Sequence, residues 1–220
     1  LCGVMHRNSL ALGTRLMKRF LGENPWAGET IWGTEAVIPI RRPYARISAA
    51  GIALIGNAAC QVFPAHGSGV GASMLAAKFL AEAVAGRDDV GAAEATWDYQ
   101  SRFHREIGAI HGAYDLFRRM IINRSEEEIE KMFTLGFTTA AGTRAAMSQV
   151  MVEVEPTDAV RLVRGAAEHP ILAARLASWM SRMPAVAELW KLSPTVADLS
   201  KLKRWSKATA LLMDDEPEMK

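Results

Sequence analysis

The sequence predicts an α/β (α+β) chain, with a mixed front third carrying a strand–loop–helix unit and a helical remainder. Three observations predict it. Residues 51–56 (Gly-Ile-Ala-Leu-Ile-Gly) form a short apolar run bounded by glycines, which by its length suits a buried strand. A glycine-rich loop follows and opens into residues 72–85, apolar on nearly every side. From Asp89 onward apolar residues recur at spacings of three and four, the period of a helix with one buried face. The natural division is residues 1–88, a sheet-and-loop segment, and residues 89–220, a helical region.

Taken in order, residues 2–5 read as the end of a strand. Residues 8–21 read as a helix, with Leu10, Leu12, Leu16, Met17, Phe20 and Leu21 on its apolar face and Gly22 ending it. Residues 30–40 alternate in the manner of a strand through Ile31, Val37, Ile38 and Ile40, and Pro43 halts the pattern because proline donates no ladder hydrogen bond. Residues 51–56 are then the buried strand, 57–71 a loop and 72–85 a buried helix closed by Gly86. In the helical part, Tyr99, Phe103, Ile107, Ile110, Tyr114, Phe117 and Ile121 mark one core-facing stripe. Ser125 with Glu128 is a capping box. Thr157-Asp158, His169-Pro170 and Ser193-Pro194 read as further helix starts.

Composition narrows the function classes. Half of the 220 residues are hydrophobic and 23% are charged, the balance of a soluble globular chain. A formal net charge of +2 gives no support to a nucleic-acid surface. Cys2 and Cys60 are too few for a zinc cage or disulfide framework, so the expected setting is a reducing, cytoplasmic one. No uninterrupted apolar run reaches the roughly 18–20 residues of a membrane span. The chain begins at Leu1 without a visible signal peptide, and its front reads as truncated.

The informative segment is residues 56–71, Gly-Asn-Ala-Ala-Cys-Gln-Val-Phe-Pro-Ala-His-Gly-Ser-Gly-Val-Gly. Gly56 lets a ligand approach the backbone closely, and Asn57 brings an amide that both donates and accepts. Pro64 fixes one side of the loop, while Gly67, Gly69 and Gly71 line the entry to the helix. A helix N-terminus presents unpaired N–H groups and a partial positive charge, so it favours an anion or an electron-rich carbonyl. The pattern suits a large, partly anionic cofactor. It is also compatible with a close-packed turn in which glycines only relieve crowding.

The order Gly56-Asn57-Ala58-Ala59, four residues, then Pro64-x-x-Gly67-x-Gly69 resembles the Gly-Asp-Ala-Ala…Pro-x-x-Gly-x-Gly element of FAD proteins with the para-hydroxybenzoate-hydroxylase fold. With Val70 after the last glycine of that element and Pro39, Arg41, Arg42 and Pro43 upstream, it is most similar to the geranylgeranyl reductases. The resemblance covers residues 30–90. It implies the C-terminal part of a Rossmann-like FAD-binding fold, with FAD as cofactor, a prenyl lipid as substrate and reduction of isoprenoid carbon–carbon double bonds. Carried over by position, Gly56, Asn57, Pro64, Gly67, Gly69 and Val70 are the cofactor-binding residues, with Asn57 toward the ribityl chain and Gly69 and Val70 against the isoalloxazine ring. No catalytic residue is assigned.

Two departures stand out. The family's Asp is Asn57 here, which keeps the hydrogen bond but loses the charge. The chain also carries no Gly-x-Gly-x-x-Gly after an opening strand, so the ADP half of FAD has no site in these residues. The alternatives are a flavin monooxygenase or halogenase on the same fold, and a non-catalytic helical protein docking on membranes or partners.

Among the remaining candidates, His66 reads as a loop histidine packed on its neighbours, the rival being a group facing the flavin. Cys60 reads as a small buried hydrophobe. Trp97, His104, His111 and Arg118 lie seven residues apart, too far along a helix for one metal to bind both histidines. The histidines read as surface or interface residues. Glu126-Glu127-Glu128 is a helix start favoured by the dipole. Residues 160–205 hold eight basic and three acidic residues, and Leu172, Leu176, Trp179 and Met183 read as one stripe. That combination fits peripheral contact with an anionic membrane, or core packing with a solvated basic face.

Overall fold

The computed structural model describes residues 12–33, 37–122, 124–134, 138–152 and 156–219. The expected strand at residues 2–5 and the start of the first expected helix lie outside them. The chain divides into two units, one ending at Ile38 and one beginning at Pro39. In the first, α1 spans Leu12–Glu23 and a short 3-10 turn covers Pro25–Ala27. The described part of residues 30–40 forms no strand, and Ile31 is 99% exposed: alternation makes a strand only where a neighbour accepts its backbone bonds.

The second unit holds a minimal sheet and nine helices among the described residues. β1 (Ser48–Ala49) and β2 (Ile52–Ala53) form an antiparallel hairpin, turned at Gly51 with φ +72°. The run at 51–56 is therefore no buried strand. Ile52 is more than half exposed, and the strand ends at Ala53, because Gly56–Ala59 winds into a 3-10 turn.

α2 (Val70–Val84) follows the loop as expected, with Gly86 in a left-handed conformation just past its end. Its burial is one-sided. Ala72, Ala76 and Phe79 face α3 (Ala93–Phe103), whereas Val70 and Met74 are exposed, because α3 is the one helix packed closely on it among the described residues. α2 and α3, on either side of residue 88, share a core of Ile47, Ala59, Ala76, Phe79, Tyr99 and Phe103.

α3 runs through a π-helical turn, His104–Gly108, into α4 (Ala109–Ile122). The expected stripe is the inward face of this long element, with Tyr99, Phe103 and Tyr114 buried. α5 (Glu126–Thr134) starts at the expected capping box: Ser125 Oγ accepts from Glu128 N–H at 3.2 Å, and the Glu128 carboxylate accepts from Ser125 N–H at 3.2 Å. α6 (Ala140–Met147) is capped by Thr139. α7 (Pro156–Glu168) and α8 (Pro170–Met180) then form a helix pair, α8 opening after His169 as expected.

The stripe Leu172–Leu176–Trp179–Met183 does not lie on one helix. The chain breaks after α8, and Met183 opens α9 (Met183–Lys191). Leu172 and Leu176 pack against Met120 and Met132, with Trp179 beside them, so this apolar face is turned inward. Ser193-Pro194 starts no helix either. α10 (Leu199–Leu212) begins after Asp198, whose carboxylate accepts from Ser200 and Lys201 N–H at 2.8 and 3.0 Å, and proline alone cannot supply such a cap.

The closest helix contact is α4 on α9. The Trp190 indole lies directly on Gly108 and Gly112, where an added Cβ would sit 2.7 and 2.6 Å from ring atoms. Glycine is required at both positions for that approach.

Candidate functional site

The loop between β2 and α2 is irregular, so its backbone groups need partners outside any ladder. Two side chains, Gln61 and Tyr99, supply some of them. Gln61, fully buried, accepts from Gly56 N–H at 2.7 Å through Oε1 and donates from Nε2 to the Tyr99 hydroxyl at 2.7 Å. Tyr99 in turn donates to Leu54 C=O at 2.6 Å. Burial pushes the Tyr99 hydroxyl up to a pKa of about 12, so it remains a donor at any physiological pH. Gln100 Oε1 accepts from Ile47 N–H at 2.7 Å and Ser48 N–H at 3.1 Å, tying β1 to α3.

The loop also closes on itself. Gly56 C=O accepts from Gln61 N–H at 2.9 Å, and Phe63 C=O accepts from Gly67 N–H at 2.9 Å while Phe63 N–H donates to Ser68 C=O at 2.8 Å. Cys60 takes the left-handed conformation, φ 54°, between these turns, and burial raises its thiol above the ordinary value against the pull of the nearby Tyr44 hydroxyl. It is a buried small residue, as read from the sequence. The Phe63 ring packs on Tyr114 and His111 of α4, with centroids 4.8 and 5.4 Å away, and anchors the loop tip.

Four of the six predicted residues gather at the start of α2. A Cβ on Gly56 (φ +64°) would meet Ser73 Oγ at 3.3 Å, and one on Gly69 would meet Val62 Cγ2 at 3.2 Å. Gly56 therefore abuts the first turn of α2, and Asn57 projects from that point as an exposed residue. No side chain caps α2 at Gly69; Val70 is 73% exposed and the space around Gly71 is open. The helix end is thus not plugged by protein. Its first-turn N–H groups and partial positive charge are available to an electron-rich carbonyl.

Pro64 and Gly67 lie elsewhere in the loop. Pro64 is buried and Gly67, φ +78°, sits against Ile40, so both shape the turn that carries Gly69. His66 is exposed and packs on Phe63 at 4.8 Å, as a loop histidine.

Both helical histidines depart from expectation. His104 and His111 are buried, not surface residues, because the π turn rotates this stretch into the core. His104 lies between Trp190 and Trp205, with centroids 5.1 and 5.3 Å away, and its Nε2 bonds Tyr44 C=O at 3.0 Å. Burial drives both imidazole pKa values down to about 4, so both are neutral at pH 7.

A second group of residues forms pairings that went unread in the sequence. Arg42 is buried and pairs with Asp115 at 3.1 Å and Asp215 at 2.8 Å, with Glu218 at 3.5 Å. Arg41 pairs with Glu218, Arg119 with Asp215, and Arg118 with Asp115 at 2.8 Å. Glu218 also accepts from Ala45 N–H at 2.6 Å. Burial pushes the Asp215 carboxyl up, yet hydrogen bonds from Arg119 and Arg42 overcome this and hold its pKa at about 2. These contacts clasp residues 215–218 onto the segment leading into the loop. The sequence signals were the paired arginines and a lone Asp on an apolar helix face; Gln61, a polar residue inside an apolar loop, was the signal for the neutral brace.

Comparison with known proteins places most of the chain in one family. Residues 5–145 match the family described as Lycopene cyclase protein, well over half of the chain. A curated relative, the digeranylgeranylglycerophospholipid reductase of Sulfolobus acidocaldarius, is 32% identical over 96 residues, covering 43% of this chain and 21% of the relative. The chain thus spans about a fifth of that relative's length. The match across residues 5–145 covers well over half of the chain and gives one assignment: the chain belongs to the lycopene cyclase protein family.

Proposed function

We propose that this chain forms the flavin-ring side of an FAD-dependent reductase that saturates isoprenoid carbon–carbon double bonds. The observation that carries the reading is the uncapped, exposed N-terminus of α2, held against Gly56 and Asn57 by the Gln61–Tyr99 brace. The residues present fit the carbonyl and ribityl end of FAD. Asn57 would offer a neutral hydrogen bond to a ribityl hydroxyl, the α2 N–H groups would meet a ring carbonyl, and Gly69 and Val70 would lie against the ring. The pyrophosphate has no counterpart here, since no Gly-x-Gly-x-x-Gly occurs in the sequence. Bound flavin supplies hydride transfer. The chain's own part is to place the ring, keep the brace neutral through the high Tyr99 pKa and present a donor-rich helix end where negative charge gathers. A prenyl lipid is the substrate in this reading. Peripheral membrane contact through residues 160–205 goes with it, since such substrates reside in bilayers.

The test is purification with flavin absorbance recorded after desalting, followed by anaerobic reduction and mixing with a geranylgeranyl lipid. A bleached flavin that reoxidises on the lipid, giving product heavier by two hydrogens per bond, is the expected result. Reoxidation by oxygen with a hydroxylated or halogenated product would instead indicate a monooxygenase or halogenase, and a colourless full-length protein the non-catalytic alternative. The family match raises one further reading, cyclisation, recognised by product of unchanged mass.

A further inference from the structure

The loop between α9 and α10 borders an open cavity of about 250 Å³, below the roughly 300–1,000 Å³ usual for cofactor pockets. Two cations line it, Arg105 from the π turn and Lys201 from the first turn of α10. Lys201 forms a long ion pair, 3.9 Å, with the Asp198 oxygen that does not cap α10. Ser193 and Thr195 line the same cavity, and the buried Ser193 hydroxyl has no hydrogen-bond partner. A buried donor left unpaired in a well-packed protein calls for an explanation, and a bound oxygen supplies one. The loop is held in place from behind: Trp97 Nε1–H donates to Pro194 C=O at 2.9 Å.

The rim is apolar. Leu192 is 72% exposed and Val196 62%. Beside them α10 carries Lys203, Arg204 and Lys207, all exposed, and no acidic residue along its length. A free inorganic anion would need the cations but not the apolar rim. Exposed apolar side chains next to surplus positive charge are the pattern of a contact with an anionic bilayer.

We propose that this cavity takes the phosphate of an anionic phospholipid headgroup. Arg105 and Lys201 neutralise the phosphate, Ser193 donates a hydrogen bond to it, and Leu192 and Val196 rest in the acyl boundary. The proposal deepens the membrane part of the function above and is independent of its flavin part.

The experiment is co-sedimentation of the protein with phosphatidylcholine vesicles, alone, with phosphatidylglycerol, or with a fatty-acid carboxylate giving equal surface charge. Binding is expected to follow phosphatidylglycerol, to fall about fivefold or more in Ser193→Ala, and to fall further in Arg105→Gln/Lys201→Gln than in the control Lys203→Gln/Arg204→Gln. Thermal melts and flavin content establish that each variant is folded, and flavin content also reports on the reductase reading separately. Equal binding to the carboxylate vesicles, with the cavity pair no weaker than the control pair, would leave a diffuse membrane contact and overturn the headgroup site. Protection of Arg105 and Lys201 from chemical labelling by inorganic phosphate, without vesicle binding, would assign a free anion and overturn it too.

Discussion

The loop at residues 54–69 and the tail at residues 215–218 both immobilise irregular backbone, yet they do so with opposite chemistry. The loop is braced by neutral groups: Gln61 accepts from Gly56 N–H at 2.7 Å, Tyr99 donates to Leu54 C=O at 2.6 Å, and Gln61 donates to the Tyr99 hydroxyl at 2.7 Å. The tail is clasped by four arginines and three carboxylates centred on Arg42 and Asp115. The difference follows from what each region must do. If the α2 N-terminus receives the partly anionic flavin ring, as proposed above, a brace with no net charge leaves the helix dipole unopposed there. A tail far along the chain from its docking site benefits instead from strong, directional pairs.

That contrast can be broken by mutation, and the largest effect is expected from the clasp. Arg42→Met leaves the enclosed Asp115 with Arg118 as its remaining cation and should cost about 3–5 kcal/mol in urea unfolding. A cost under about 1 kcal/mol would show that the clasp is a surface-like network.

Acid separates the two regions next. His104 and His111 titrate near 4 in the folded chain and near 6.5 unfolded, so between those values the unfolded state binds more protons. Stability is therefore present in full above pH 6.5 and falls as pH drops toward 4, by on the order of 3 kcal/mol for each histidine. Asp215, with its pKa at about 2, stays charged through that window, and its contribution fades only below the ordinary carboxylate range. Urea melts at pH 7, 5.5 and 4 should show the loss, and His104→Gln should reduce its slope; an unchanged slope would falsify the assignment to that residue.

Tyr99→Phe probes the brace itself. It removes the hydroxyl between Gln61 and Leu54 and leaves both without that partner, an expected cost of about 1–3 kcal/mol. Flavin content after desalting should fall with it if the brace positions the site, and a destabilised protein with full flavin content would separate the two roles. The smallest effect is expected from Asn57→Asp, which restores a charged acceptor at an exposed position. FAD affinity should rise about fivefold, about 1 kcal/mol, in a titration of the flavin-free protein. Weaker or equal binding would remove Asn57 from the ribityl contact.

Local chemistry was legible where one short stretch decides its own conformation. The capping box at Ser125 and Glu128, the start of α8 at His169-Pro170 and the helix from Val70 all depend on neighbours a few residues away. The loop motif was legible for a related reason: glycines at positions 56 and 67 with positive φ, and at 69 with no room for a Cβ, leave a fixed imprint on the sequence. The strand readings held least: the described part of residues 30–40 forms no strand, and of residues 51–56 only Ile52–Ala53 pairs, with Ser48–Ala49. Residues 30–40 and 51–56 have strand-like composition, but a strand exists only when another segment pairs with it, and composition does not name that segment.

Burial was also decided at a distance. His104 and His111 look like surface residues until a π turn rotates them under Trp190 and Trp205 and beside Phe63, and no local signal announces such a turn. The apolar stripe of α8 offered a membrane face in the sequence, and Met120 and Met132 took it instead. By itself, the sequence determined the local conformations, the helical periodicity and the glycine-lined loop, because each is set by sterics and hydrogen bonds within one or two turns. Only the tertiary structure decided which polar residues became internal partners. Arg42 found Asp115 and Gln61 found Tyr99 through packing that brings distant segments together, and the energy of a buried polar group depends entirely on that partner.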